Sequence, residues 1–306
     1  LTISGSTAVA TALALAALAT AGCGLGPGKG LGDVELSATR DYGSEFVLAP
    51  ASEGVSEADT VMRVLERSAD ISTRYGGGFV QSIEGLEADE GVPADWFFYV
   101  DGVESTVGAA DYPVRGGERI WWDYRDWGGA MRVPAVVGSW PQPFAGGYEG
   151  GKGLPASVVC MGDAGQEACR TARERLEAAG VRLATGSGGD GVRLLVGPWR
   201  AIREDPAAAQ IERGPQTSGV FAEIEAGRGG CRIEGLDQDG RPARGFGPGA
   251  GLVAATRHYE AAPTWVVTGC GEAGVEAAAG LLDAADLRDR YAVVAEGGVP
   301  TPLPVR

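Results

Sequence analysis

Trp96-Phe97-Phe98-Tyr99-Val100-Asp101-Gly102, followed by Arg119-Ile120-Trp121-Trp122-Asp123-Tyr124, is the stretch on which the reading of this chain turns. Residues 96–127 carry nine of the 22 aromatic side chains, set on short segments separated by turn signals. On a strand, Trp96 and Phe98 face one way and Phe97 and Tyr99 the other. One set must fill a core. The other is either covered by more protein or left open to something flat and apolar.

Working outward, residues 34–40 alternate apolar and polar, and residues 46–48 follow across an Asp41-Tyr42-Gly43 turn, which predicts a hairpin. Ser56 opens a capping-box-like Ser-Glu-Ala-Asp. Val61, Val64 and Leu65 then share one helical face, predicting a helix that ends near Asp70. Short strands are expected at residues 79–83, after the triple glycine Gly76-Gly77-Gly78, at 96–100 before the Asp101-Gly102 turn, and at 119–124. Two strands, a helix and several short strands give the order of a β-grasp-like domain over residues 33–127.

The same pieces, in the order Gly78-Phe79-Val80, Trp96-Phe97-Phe98, Asp111-Tyr112, Gly117-Glu118 and Trp127, resemble the C-terminal, cobalamin-contacting domain of the transcobalamin and intrinsic factor family (DUF4430-type). The resemblance covers residues 34–127, under a third of the chain. It implies that Gly78, Phe79 and Val80 match a strand, and Trp96, Phe97 and Phe98 a hairpin, that press on the upper face of a corrin ring. Asp111, Tyr112, Gly117, Glu118 and Trp127 would shape the last turn and strand. The family's helical barrel has no counterpart here, so enclosure of a ligand would fall to residues 150–306 or to a partner.

Residues 128–155 are rich in Gly and Pro and read as a connector with enough apolar content to pack in part. Beyond it the sequence repeats itself. Val158-Val159-Cys160-Met161-Gly162-Asp163-Ala164-Gly165 recurs as Val266-Val267-Thr268-Gly269-Cys270-Gly271-Glu272-Ala273-Gly274 with one insertion, each an apolar strand, a small-residue turn and an Ala-rich helix. A third unit places a strand at 193–199 before a helix at 201–213. Further strands are expected at 221–225, 231–236 and 252–256, with a turn at 237–240. Strands alternating with helices predict an α/β domain over 156–306 with a mostly parallel sheet; the whole is α+β.

Formal charge is −15, with 24 Arg against two Lys. So acidic a surface repels phosphate backbones and anionic lipid, so nucleic acid is not an expected partner. The apolar run 8–21, ending in Thr20-Ala21-Gly22-Cys23, is too short for a membrane span but has the length of a secretory signal. Its end resembles a lipobox with Cys23 as the acylated residue, although no Met or basic segment precedes the run. Residues 1–23 are therefore expected to be a signal peptide and 24–32 a tether. Cys160, Cys169, Cys231 and Cys270 remain as possible disulfide partners, with three connectivities open; their spacing matches no zinc pattern.

No catalytic constellation emerges. The single histidine, His258, cannot build a histidine-rich metal site, although it could serve a cobalt corrinoid as an axial ligand; a structural or surface role is the competing reading. Asp163 and Glu272 in the small-residue turns oppose an anionic ligand there. Asp89-Glu90 and Asp237-x-Asp239 read as solvated charges. The expectation is an extracytoplasmic, cell-surface lipoprotein, membrane-bound through its lipid only, that binds a small molecule without catalysis. A corrinoid comes first, for delivery to a membrane importer, and no cofactor is required. A protein- or glycan-interaction module, or a hydrolase within 156–306, are the alternatives.

Overall fold

Residues 119–126 alternate in a way that requires two covers, and the computed structural model supplies both. It describes residues 1–2, 28–88, 91–149, 155–162, 165–184, 191–227 and 230–306. The expected signal run, Cys23, residues 24–27 of the tether, Asp89-Glu90 and Asp163 lie outside these. The fold is mixed α and β, dominated by strands in several sheets.

In the first half, β1 (Gly30–Arg40) and β2 (Glu45–Ser56) form a long hairpin. The helix α1 (Val61–Ser68) is followed by a small sheet of β3 (Ile71–Arg74), β4 (Phe79–Ile83) and β5 (Leu86–Glu87). The strands β6 (Ala94–Val100), β7 (Val103–Glu104) and β8 (Arg119–Asp126) complete a five-stranded sheet of order β2-β1-β8-β6-β7, in which β1 and β8 run parallel at the centre. The helix starts later than Ser56. Asp59 accepts the Ser56 backbone N–H (2.8 Å) and hydroxyl (2.9 Å), tying off the end of β2, and Thr60 caps the helix instead by accepting Arg63 N–H. Val61, Met62, Val64 and Leu65 then close over Leu36, Trp96, Val100, Ile120 and Trp122.

In the second half, β9 (Ser157–Cys160) leads to α2 (Gln166–Ala178), and β10 (Arg193–Pro198) to the single turn α3 (Trp199–Ile202). The helix expected at 201–213 is broken. Asp205 caps a fresh turn by accepting the N–H groups of Ala207 and Ala208 around Pro206, giving a 3-10 turn at Ala208–Arg213 and then α4 (Pro215–Ser218). A three-stranded meander follows: β11 (Ala222–Gly227), β12 (Gly230–Leu236) and β13 (Pro242–Phe246). Next come β14 (Gly251–Thr256), β15 (Thr264–Gly269), α5 (Glu272–Gly280), α6 (Ala284–Leu287), β16 (Ala292–Glu296) and β17 (Val299–Leu303).

The main sheet has the order β17-β16-β14-β15-β10-β9. Only β9-β10-β15 pair in parallel; β15-β14, β14-β16 and β16-β17 are antiparallel, so the expected mostly parallel sheet is a mixed one. The reason is the connections. The two repeated strand-helix units make crossovers, whereas the meander delivers β14 from the opposite end and Gly297-Gly298 folds β16 tightly back on β17. Disulfides join Cys160 to Cys169 and Cys231 to Cys270. No helix among the described residues is long and apolar enough to cross a membrane.

The two halves share a core. Tyr99 and Trp121, on the sheet face away from α1, pack with Trp199, Phe221 and Tyr291, while Val133, Val136, Val137, Trp140 and Phe144 from the connecting segment are buried as well. The β1–β2 turn presses so closely on the second half that a Cβ on Gly43 (φ +80°) would collide with the Asp289 carbonyl. At the seam, Tyr99 Oη donates to Tyr291 Oη (3.2 Å) and Tyr291 donates to Asp123 Oδ2 (2.9 Å). Thr39 Oγ1 (2.6 Å) and Gly43 N–H (3.1 Å) hold the other carboxylate oxygen. Tyr291→Phe removes one donor from a fully buried carboxylate with nothing to replace it. The expected loss is about 1–3 kcal/mol in denaturant unfolding of the whole chain; a change within error would mean that this bond does not secure the seam.

Candidate functional site

The six residues singled out from the sequence divide by strand parity. Trp96 is only 5% exposed. Its indole N–H donates to the Leu86 carbonyl (3.3 Å), and its ring lies 5.4 Å from that of Tyr124. Phe98, half-buried, packs on Trp122 and Tyr112 under the α1 face. Phe97 turns the other way, toward the second half, where the Arg125 guanidinium sits 3.8 Å from its ring centroid. Arg125 is itself held by the carbonyls of Ala130 (2.7 Å) and Met131 (3.1 Å), so this cation–π stack is part of the interior. Both faces of the β6–β8 hairpin are therefore covered, one by α1 and its strands and one by residues beyond 128.

The β3–β4 turn is different. Val80 is buried, Gly78 and Phe79 are exposed, and Phe79 keeps 36% of its surface in solvent. Tyr75, which no sequence argument singled out, is 87% exposed and meets Phe79 edge to face at 6.4 Å. Between them, a Cβ added to Gly76 or Gly77 would meet nothing within 4 Å. The bare backbone lies open to anything approaching the rings. Arg74 pairs in register with Phe79, and Asp95 lies within its field. Burial raises the Asp95 carboxyl above its ordinary value, with Arg74 opposing. The edge thus combines two exposed rings, open glycine backbone and a polar rim. The signal for Tyr75 was present in the Tyr-Gly-Gly-Gly-Phe run, since a tyrosine beside three glycines has little of its own chain to hide against.

Other singled-out residues lie elsewhere. His258 stacks on Tyr259 (4.4 Å) and lines a separate cavity of about 390 Å³ with Tyr148, Arg193 and Asp205. Asp237 caps its own turn, accepting N–H from Asp239 and Arg241. Among the described residues, no three His, Cys, Asp or Glu side chains gather as a metal site requires. Tyr112 and Glu118 are buried scaffold, and Glu118 accepts the Arg115 N–H (2.8 Å).

Residues 58–126 match a family model described as a domain of unknown function, DUF4430. That span lies inside the 34–127 stretch on which the transcobalamin-like resemblance rests. A crystal structure from Ruminococcus gnavus ATCC 29149, described provisionally as metal binding, aligns with 31% of this chain and 97% of its own, at 14% identity and a TM-score of 0.25. Haptocorrin, solved in complex with Cbi, aligns with 31% of this chain at 22% identity and a TM-score of 0.25. The aligned part spans 25% of the haptocorrin chain. No curated protein matches the chain in sequence.

Asp101, at the β6–β7 turn, gives a titration test of this domain. It is 4% exposed. Burial pushes its carboxyl up to about 8, opposed by the Arg119 N–H it accepts (2.9 Å) and reinforced by Glu118. A carboxyl raised in the folded state from 3.8 to about 8 binds its proton more tightly there than in the unfolded chain. Its contribution is therefore complete below the lower value and is lost as pH climbs to the upper one. Asp101→Asn keeps the acceptor and tolerates the left-handed backbone (φ +52°). The variant should match or trail the wild type near pH 4 and exceed it by roughly 1–2 kcal/mol at pH 8. Parallel stability curves for the two proteins would show that Asp101 does not titrate in this way.

Proposed function

We propose that this protein is a small-molecule-binding protein working outside the cytoplasm, with a corrinoid as the first candidate ligand and the β3–β4 edge as the contact surface. The observation that carries this is the exposed Tyr75–Phe79 pair flanking open glycine backbone, at the position where the resembling family places its ligand-contacting strand. A broad ring system with polar substituents suits two apolar rings, accessible amides and a nearby Arg74 and Asp95. The β-grasp-like reading of residues 33–127 fits the central parallel β1–β8 pair, with α1 on one face.

Contact with a ligand shifts accordingly. Gly78 and Phe79 stay in the proposed surface and Tyr75 joins them. Trp96, Phe97 and Phe98 support it from within the fold, rather than forming an open plate. Anchoring through Cys23, delivery to a membrane importer and the absence of a required cofactor belong to the same proposal and rest on the sequence. The domain division at 128–155 is proposed in the same sense, with the two units docked through a common core.

Titration of the whole chain with cyanocobalamin and cobinamide, followed by the corrinoid visible spectrum, tests the reading. Saturable binding that weakens about tenfold or more in Tyr75→Ala or Phe79→Ala, both solvent-exposed positions, supports it. Absence of saturation for both corrinoids up to about 1 mM, equivalent to no more than about −4 kcal/mol of binding, removes the corrinoid.

A further inference from the structure

A hollow of about 250 Å³ opens where the β6–β7 turn and the start of β8 face the connecting segment. Asp101, Arg115 and Glu118 line it from one side, and Gln142, Ala145 and Tyr148 from the other. The fold has taken both carboxylates largely out of water: Asp101 is 4% exposed and Glu118 7%. Each engages one oxygen with a backbone N–H, Asp101 Oδ1 with that of Arg119 (2.9 Å) and Glu118 Oε2 with that of Arg115 (2.8 Å). The other oxygen of each accepts no hydrogen bond among the described residues but keeps contact with solvent, and so opens on the hollow.

The neighbouring cations leave this pair unanswered. The Arg119 guanidinium is committed to Glu35, Asp289 and the Gly138 carbonyl. Arg115 is exposed and its field draws Glu118 down, but among the described residues it forms no ion pair with either carboxylate. Glu118 meanwhile adds to burial in raising Asp101, so the two repel when both are ionised. Like charges at the wall of one hollow, each with a spare oxygen, favour a cation that can enter between them.

The surroundings select the kind of cation. Among the described residues no third His, Cys, Asp or Glu gathers with the pair as a metal ion requires. An ammonium head asks less, three acceptors for its three N–H groups. The spare oxygens of Asp101 and Glu118 supply two. Gln142 Oε1 accepts the Gly146 N–H (2.7 Å) with one lone pair and has a second to offer. Ala145 and the Tyr148 ring give an apolar wall for the carbons behind the head. Arg257, 5.5 Å from the centroid of that ring, is already paired with Glu149 (2.5 Å).

We infer that this hollow binds a primary ammonium group carried on a short alkyl chain. The head lies between Asp101 and Glu118, and the chain runs along Tyr148. The site shares no residue with the β3–β4 edge, so it stands or falls apart from the corrinoid reading.

Calorimetric titration of the full chain with butylammonium chloride tests this, with 1-butanol and ammonium chloride as the body-only and charge-only controls and calcium chloride as the metal arm. At about pH 8.5 Asp101, raised to about 8, is largely ionised, and an alkylammonium keeps its proton. Saturable binding of butylammonium, at least about tenfold tighter than either control, is expected. Asp101→Asn and, separately, Glu118→Gln should each weaken it about tenfold or more with the melting temperature of the chain preserved. Arg115→Ala removes the competing charge at the rim and should tighten binding about twofold or more. The inference is overturned if butylammonium does not saturate by about 10 mM, if 1-butanol or calcium binds as tightly, if both folded carboxylate variants bind it unchanged, or if Arg115→Ala weakens it.

Discussion

A buried carboxylate organises this molecule. Asp123 projects from β8 on the face away from α1, where water is excluded. It is made tolerable there by the Thr39 hydroxyl, the Gly43 N–H and the Tyr291 hydroxyl. Burial still raises its carboxyl to about 6 against the pull of these donors. Two of the three donors come from β1 and its turn and the third from the far end of the second half. The group therefore fixes sheet, turn and docking partner at once. Trp121 joins by donating its indole N–H to Thr39 (2.8 Å) and meeting Tyr291 edge to face at 5.5 Å. Around this centre, Arg119 reaches from Glu35 (2.7 Å) to Asp289, so charge as well as packing crosses the seam.

This arrangement explains why so aromatic a sheet presents so little aromatic surface. Alternation along β6 and β8 sends Trp96, Phe98 and Trp122 to the α1 core and Phe97, Tyr99 and Trp121 to the seam. A domain that used its outer face for a ligand would have to leave that second set open, and here the second half closes it. The aromatic surface that remains exposed is peripheral. The β3–β4 turn keeps Tyr75 and Phe79 in solvent. It combines two rings with open glycine backbone, and small-molecule sites use such a mixture of apolar surface and accessible polar groups.

Local patterns were legible in the sequence, and pairings over long separations were not. The 79–83 strand, the 119–124 segment, the Asp101-Gly102 turn and the two strand-turn-helix repeats follow from periodicity and turn chemistry, and each is present. The helix expected from Ser56 failed by a few residues, because Asp59 tied its hydrogen-bonding capacity to the strand end rather than to a helix. The 201–213 helix failed because Asp205-Pro206 restarts the chain, a breaker signal that lay in plain view. Nothing local announces that Asp123 will meet Tyr291, 168 positions away, or that Cys231 will bond to Cys270 rather than to Cys160. The parity of the aromatic hairpin was readable; which of its faces would be covered depended on that distant partner.

Arginine shows the same limit from the side of function. With 24 arginines and two lysines, the sequence offers no means of telling a recognition residue from a compositional habit. The structure sorts them by what they touch. Arg125 is consumed by carbonyls and the Phe97 ring. Arg119 bridges the seam, and Arg257, also buried, is held by Glu149 (2.5 Å) and the Ala261 carbonyl (2.6 Å). Arg119 and Arg257 have their charge answered inside the fold, whereas Arg125 keeps a buried Nε without a partner among the described residues; removal of any of the three would be felt as lost stability. Arg290, like Arg125, has a buried guanidinium nitrogen with no partner among the described residues. Burial rather than composition therefore separates the arginines that hold this fold together, Arg119, Arg125 and Arg257, from those at the surface.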